Sequence, residues 1–94
     1  MTEGELKTRV LRLAYSRGWA VYHETHSPRR GGQGIGYPDL TLARDGKVIW
    51  MELKQEKASP TPEQWFWYEA LGRHVWHLIR PSDWESGRVA ELLA

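Results

Sequence analysis

The sequence predicts an α/β fold: a helix, three strands, a second helix and a fourth strand, with a mixed sheet flanked by helices and a short C-terminal helix. Three observations predict it. Leu6, Val10, Leu13 and Ala14 recur at helical spacing near the start of the chain. Asp45-Gly46 separates two runs of strand-forming residues, a strong hairpin signal because Gly accepts the positive φ of a type I′ turn. Thr61-Pro62-Glu63-Gln64 opens a helix that leads to another apolar strand pattern. Strand, helix, strand implies a right-handed crossover, so the last strand runs parallel to the second hairpin strand.

The elements follow in order. Thr2 is a good N-cap, and Glu5 completes a Thr-x-x-Glu capping box for a helix over 3–17, with Gly18 as its stop. Trp19 to Thr25 alternates as a strand. The glycine-rich segment from His26 to Gly36 carries Arg29 and Arg30 and reads as a basic loop. Asp39 to Arg44 and Lys47 to Lys54 form the hairpin. The second helix has Thr61 as N-cap, Pro62 at N1 and Gln64 at N3, and runs to about Leu71 before Gly72. Trp65, Phe66, Trp67 and Tyr68 are consecutive. Around a helix they point in every direction, so one or two should stay exposed or meet a partner. His74 to Ile79 is the last strand, stopped by Pro81. Ser82 to Glu85 begins a further turn or helix, and Val89, Leu92 and Leu93 give a short apolar stripe.

Composition bounds the function. Ninety-four residues make one small domain, 1–94. A chain of this size buries about 60–65% of its extended surface. There is no cysteine, hence no disulfide framework and no Cys-based zinc site. The acidic, polar first residues do not resemble a signal peptide. No run approaches the roughly 18 apolar residues of a membrane span. Thirteen Lys and Arg oppose twelve Asp and Glu, so affinity for nucleic acid must come from charge distribution rather than net charge.

The hairpin carries the chemistry. With Asp45-Gly46 as its loop, Arg44 pairs with Lys47, Leu42 with Ile49, Leu40 with Met51, and Asp39 falls opposite Glu52. Directly opposed Cβ atoms lie about 4.5–5.5 Å apart, so two carboxylates there repel. A cation between them reverses the sign. Lys54, two residues beyond Glu52, shares its face. Mg²⁺ takes one or two carboxylates plus waters and phosphate oxygens, and a neighbouring Lys can orient or deprotonate a metal-held water. Glu3 lies three and seven residues before Leu6 and Val10, on the core-facing side, and is a candidate further ligand. Glu5 is already committed to the cap. The bland alternatives are an exposed salt-bridge cluster, worth about 0–1 kcal/mol, and a solvated Glu3 favoured by the helix dipole. His23 and His26 form H-x-x-H, but strand residues three apart face opposite sides, so joint zinc ligation is disfavoured. His74 and His77 fail the same test. His23 is kept as a substrate contact.

Gly36-Tyr37-Pro38-Asp39-Leu40, with Glu52-Leu53-Lys54 and the later Thr61-Pro62-Glu63-Gln64-x-x-Trp67, resembles the PD-(D/E)XK nuclease signature in the form found in the virus-type replication-repair nuclease family (VRR-NUC). The resemblance covers roughly Thr2 to Trp84. It implies the minimal restriction-endonuclease-like core and a divalent-metal-dependent endonuclease acting on DNA. It implies Mg²⁺ or Mn²⁺ on Asp39, Glu52 and the Leu53 carbonyl, with Glu3 assisting. Lys54 would orient water or stabilise the transition state, and Gln64 would point to the site from its helix start. Arg29 and Arg30 would contact phosphate. Stand-alone members of the family invite a homodimer cutting branched DNA such as a four-way junction, in a bacterial or phage-encoded cytoplasmic setting. Two rivals share the fold: a catalytically silent nucleic-acid-binding module, and a protein–protein adaptor using the aromatic face.

Overall fold

The computed structural model describes residues 1–24 and 34–94. Helix α1 spans Glu3–Ser16 and opens on the capping box: Glu5 N donates to Thr2 Oγ1 and Thr2 N to Glu5 Oε1. Leu6, Val10 and Ala14 form its buried stripe. Strand β1 covers Ala20–His23, shorter than the alternation predicts at its start. Trp19 precedes the strand, buried in the core, and donates from Nε1 to the Leu93 carbonyl at 3.1 Å. The far end of the expected strand, Thr25, lies outside the described residues, as does the stretch from His26 to Gln33.

Strands β2 (Leu40–Arg44) and β3 (Lys47–Leu53) are the hairpin. Asp45 and Gly46 have φ of 54° and 78°, as a type I′ loop requires. Helix α2 (Pro62–Leu71) begins at the Thr61–Gln64 capping box and ends at Gly72. It crosses to β4 (Trp76–Ile79), which pairs parallel with β3. His74 and Val75 belong to the preceding turn, where the Val75 and Trp76 amides donate to the Gly72 carbonyl. The C-terminal region makes two short helices, α3 (Pro81–Glu85) and α4 (Arg88–Leu92).

The sheet order is β1-β2-β3-β4. Its two faces differ in chemistry because alternate residues point to opposite sides. Leu40, Leu42, Met51, Leu53 and Ile79 pack with the α1 stripe and with Val89 and Leu93 into one apolar core. The opposite face carries Thr41, Trp50, Glu52 and Trp76, and α2 lies toward it through aromatic contacts, Trp65 and Tyr68 lying 5.7 and 5.0 Å from Trp76. No residue of α2 is fully buried, and Phe66 is 68% exposed, as four consecutive aromatics on one helix require. Among the described residues no helix is long and apolar enough to cross a membrane.

Candidate active site

The hairpin register is the one the Asp45-Gly46 loop dictates, from Arg44 opposite Lys47 to Leu40 opposite Met51. One step further sets Asp39 against Glu52. The register of β1 on β2 ends with His23 opposite Leu40, and Glu24 N then donates to the Asp39 carbonyl at 2.8 Å. Glu24, Asp39 and Glu52 therefore occupy one row across three strands, on the face that α2 overlooks. Sequence reasoning did not single out Glu24. The signal was the strand register of β1, which the loop before Asp39 hides.

Asp39 reaches across the hairpin mouth. Its Oδ2 accepts the Leu53 amide at 2.8 Å, taking the place of a ladder bond where β2 ends. In an extended strand the N–H and C=O of one residue point the same lateral way. The Leu53 carbonyl is thus directed to Asp39's side of β3. Behind Asp39, Pro38 is fully buried and Tyr37 is pinned by two partners. Trp50 Nε1 donates to Tyr37 Oη at 2.8 Å, and Tyr37 Oη bonds Thr41 Oγ1 at 2.9 Å.

Glu52 is only 1% exposed, so the exposed salt-bridge reading does not describe it. Its Oε2 accepts from Gln64 Nε2 at 3.1 Å. Its Oε1 is buried and meets no donor among the described residues. Burial pushes the Glu52 pKa up to about 9, helped by the charge of Asp39; Lys54 pulls it down, and Glu3 adds a further upward push. Lys54 is half-buried at the end of β3, its backbone held by a 3.0 Å bond from its amide to the Ile79 carbonyl.

Helix α2 is fitted against the segment that leads into Asp39. Gly36 has φ +81°, and a Cβ there would collide with the carbonyl group of Glu63 and the amide of Gln64. Trp67 Nε1 donates to the Ile35 carbonyl at 3.0 Å, and its ring meets Tyr37 edge-on with centroids 4.9 Å apart. The close approach demands glycine at position 36 and delivers Gln64 to Glu52.

The described structure brings Asp39, Glu52, Lys54 and Gln64 together. Glu3 is exposed rather than core-facing: it sits one turn before the buried stripe begins, where its charge is still felt by Glu52. His23, opposite Leu40, belongs to the other face of the sheet and is exposed. Arg29 and Arg30 lie outside the described residues.

The donor set suits a hard cation. Among the described residues no three His, Asp or Glu side chains converge into an all-protein metal cage. Glu24 shares the row but accepts from Tyr22 Oη at 3.0 Å. What remains is two opposed carboxylates, one with a buried oxygen lacking a donor, and a main-chain carbonyl directed the same way. Mg²⁺ characteristically takes one or two carboxylates and keeps its waters. No protein-family model, curated protein or solved structure matches the chain.

Proposed function

We propose that the chain is a small VRR-NUC-like nuclease that hydrolyses DNA phosphodiester bonds with Mg²⁺ or Mn²⁺. The observation that carries this reading is Glu52: a buried carboxylate opposite Asp39, with an oxygen that meets no donor, beside a Lys. A buried carboxylate pair without a cation is costly to ionise. The same pair becomes favourable when a divalent ion neutralises it.

Asp39, Glu52 and the Leu53 carbonyl would hold the ion, with Glu3 assisting directly or through water. When bound, the cation lowers the pKa of its water and offsets charge on the scissile phosphate. Lys54 orients the attacking water and stabilises negative charge on the phosphoryl oxygens. Gln64 fixes the Glu52 carboxylate through Nε2 and so aims its second oxygen. Arg29 and Arg30 would contact substrate outside this centre.

A domain this small offers little surface for gripping DNA. A homodimer doubles it, and the exposed Trp65, Phe66 and Ile35 supply an apolar surface for self-association. Two sites related by a two-fold axis favour branched substrates, four-way junctions above all.

The test is cleavage of labelled linear, flapped and four-way-junction DNA in EDTA, Mg²⁺ and Mn²⁺, with Asp39→Ala and Lys54→Ala beside the parent. Metal-dependent cutting lost in both variants is the expected result. Binding without cutting in every metal, unchanged by either substitution, overturns the nuclease and leaves a binding module.

A further inference from the structure

Between the outer face of α1 and Trp84 on α3 lies an open groove of about 930 Å³, lined among others by Thr8, Arg9, Arg12, Leu13 and Ser16. From residue 6 to residue 23 the chain carries Lys7, Arg9, Arg12 and Arg17 and no acid, which leaves nine of the thirteen Lys and Arg to face all twelve Asp and Glu elsewhere. Around the helix Arg9 and Arg12 share the groove side with Glu5, so two cations stand there against one acid. Arg9 and Arg12 are exposed, and the Arg9 charge acts on the Glu5 carboxylate one turn before it. Glu5 lines the N-terminal end of the groove, where its carboxylate is tied to the Thr2 amide at 3.2 Å. Trp84 is half-buried against the core, so its indole forms a firm wall rather than a loose side chain.

We infer that this groove binds a single-stranded segment of nucleic acid, with phosphates on Arg9 and Arg12 and a base against Trp84. Cationic side chains along a groove, interleaved with an aromatic platform, are the combination that holds single strands without reading sequence. Glu3, whose charge reaches Glu52, begins the same helix, and Arg12 lies nine residues on, about 13 Å along its axis; the helix packs on the sheet face opposite to the one that carries Glu52. The inference rests on the nucleic-acid reading and supplies that reading with a substrate-holding surface outside the metal centre.

The experiment is fluorescence anisotropy of a labelled single-stranded oligonucleotide in EDTA, where binding is read without cleavage. The proteins are the parent, Arg9→Ala/Arg12→Ala and Trp84→Leu. The double variant changes exposed side chains and keeps the fold. It should bind about tenfold or more weakly near 100 mM salt, with a salt slope shallower by about 1.4, the value for two lost phosphate contacts on a single strand. Trp84→Leu should weaken binding with its slope unchanged. Parent-like affinity and slope in the double variant overturn the groove while leaving metal-dependent cleavage intact. A parent that neither binds nor cuts overturns both readings. Groove-dependent binding with no cleavage in any metal sustains the groove and removes the nuclease.

Discussion

Gln64 donates from Nε2 to Glu52 Oε2 at 3.1 Å while its Oε1 accepts the Thr61 amide at 2.8 Å. One side chain closes a capping box and holds a candidate metal ligand. The two bonds are not independent. The Thr61 amide requires an acceptor, so the cap turns the carboxamide oxygen toward itself and leaves the NH₂ group for the carboxylate. The helix start thereby decides which atom faces the site.

Gln64→Glu separates the two roles. Glu closes a capping box as well as Gln does. It replaces the donor to Glu52 with a second carboxylate. Urea denaturation should show near-parental stability at pH 5 and a loss that grows by pH 8. Gln64→Ala should instead lose about 1 kcal/mol at both pH values, the cost of an ordinary hydrogen bond and cap. Equal pH profiles for the two variants would show that the contact with Glu52 carries no weight.

Glu52 sets a pH dependence of the metal-free protein. Its folded pKa stands above its unfolded one, so the folded state holds the proton more tightly. The resulting stabilisation is complete below the unfolded pKa and is lost as pH rises from about 4.5 toward 9. The melting temperature in EDTA should fall between pH 5.5 and 8.5, and Glu52→Gln should flatten that fall. Mg²⁺ or Mn²⁺ should raise the melting temperature more at pH 8.5 than at pH 5.5, because the ion competes with the proton. A Glu52→Gln protein with the parental slope would assign the dependence to other groups.

Gly36 and Gly46 share a positive φ, +81° and +78°, but only Gly36 has backbone in the space where a Cβ would go. Gly46→Ala should cost about 1 kcal/mol, the strain of a left-handed L-residue. Gly36→Ala adds a clash with Glu63 and should cost about 3 kcal/mol or more. Denaturation measures the difference. In any folded fraction of Gly36→Ala, cleavage should fall further than stability, since the displaced element carries Gln64.

Phe66 tests the homodimer. A side chain 68% exposed contributes little to the fold, so Phe66→Ser should change stability by less than about 0.5 kcal/mol. In sedimentation at micromolar concentration the parent should run as a dimer and the variant as a monomer. A parent of monomeric mass removes the paired-cut idea without touching the metal centre.

Much of this architecture was written in local signals. Thr2 with Glu5, Thr61 with Gln64, Gly72 and the Asp45-Gly46 loop each act over a few residues, so the helix starts and the hairpin register were legible. That register alone brings Asp39 to Glu52. Non-local features were not legible. Glu24 joins the row only through the pairing of β1 with β2. Glu3 keeps the phase of the buried stripe, yet it lies a turn before anything packs there. The demand for glycine at position 36 depends on Glu63, 27 residues away. His23 reads as a substrate contact, but which face of the sheet it occupies is set by its pairing with Leu40. Pattern specifies phase, but contact depends on where elements cross.

The hairpin tip stands well apart from the carboxylates. From Asp39 to Asp45 the strand rises about 20 Å, and Lys47 beside the turn is exposed. The chain has no cysteine. Lys47→Cys would therefore create a unique thiol at a fixed remove from the metal position, on the rigid strand that carries Glu52 itself. A fluorophore or spin label attached there would report the arrival of Mn²⁺ as distance-dependent quenching or relaxation, in a background that needs no other substitution.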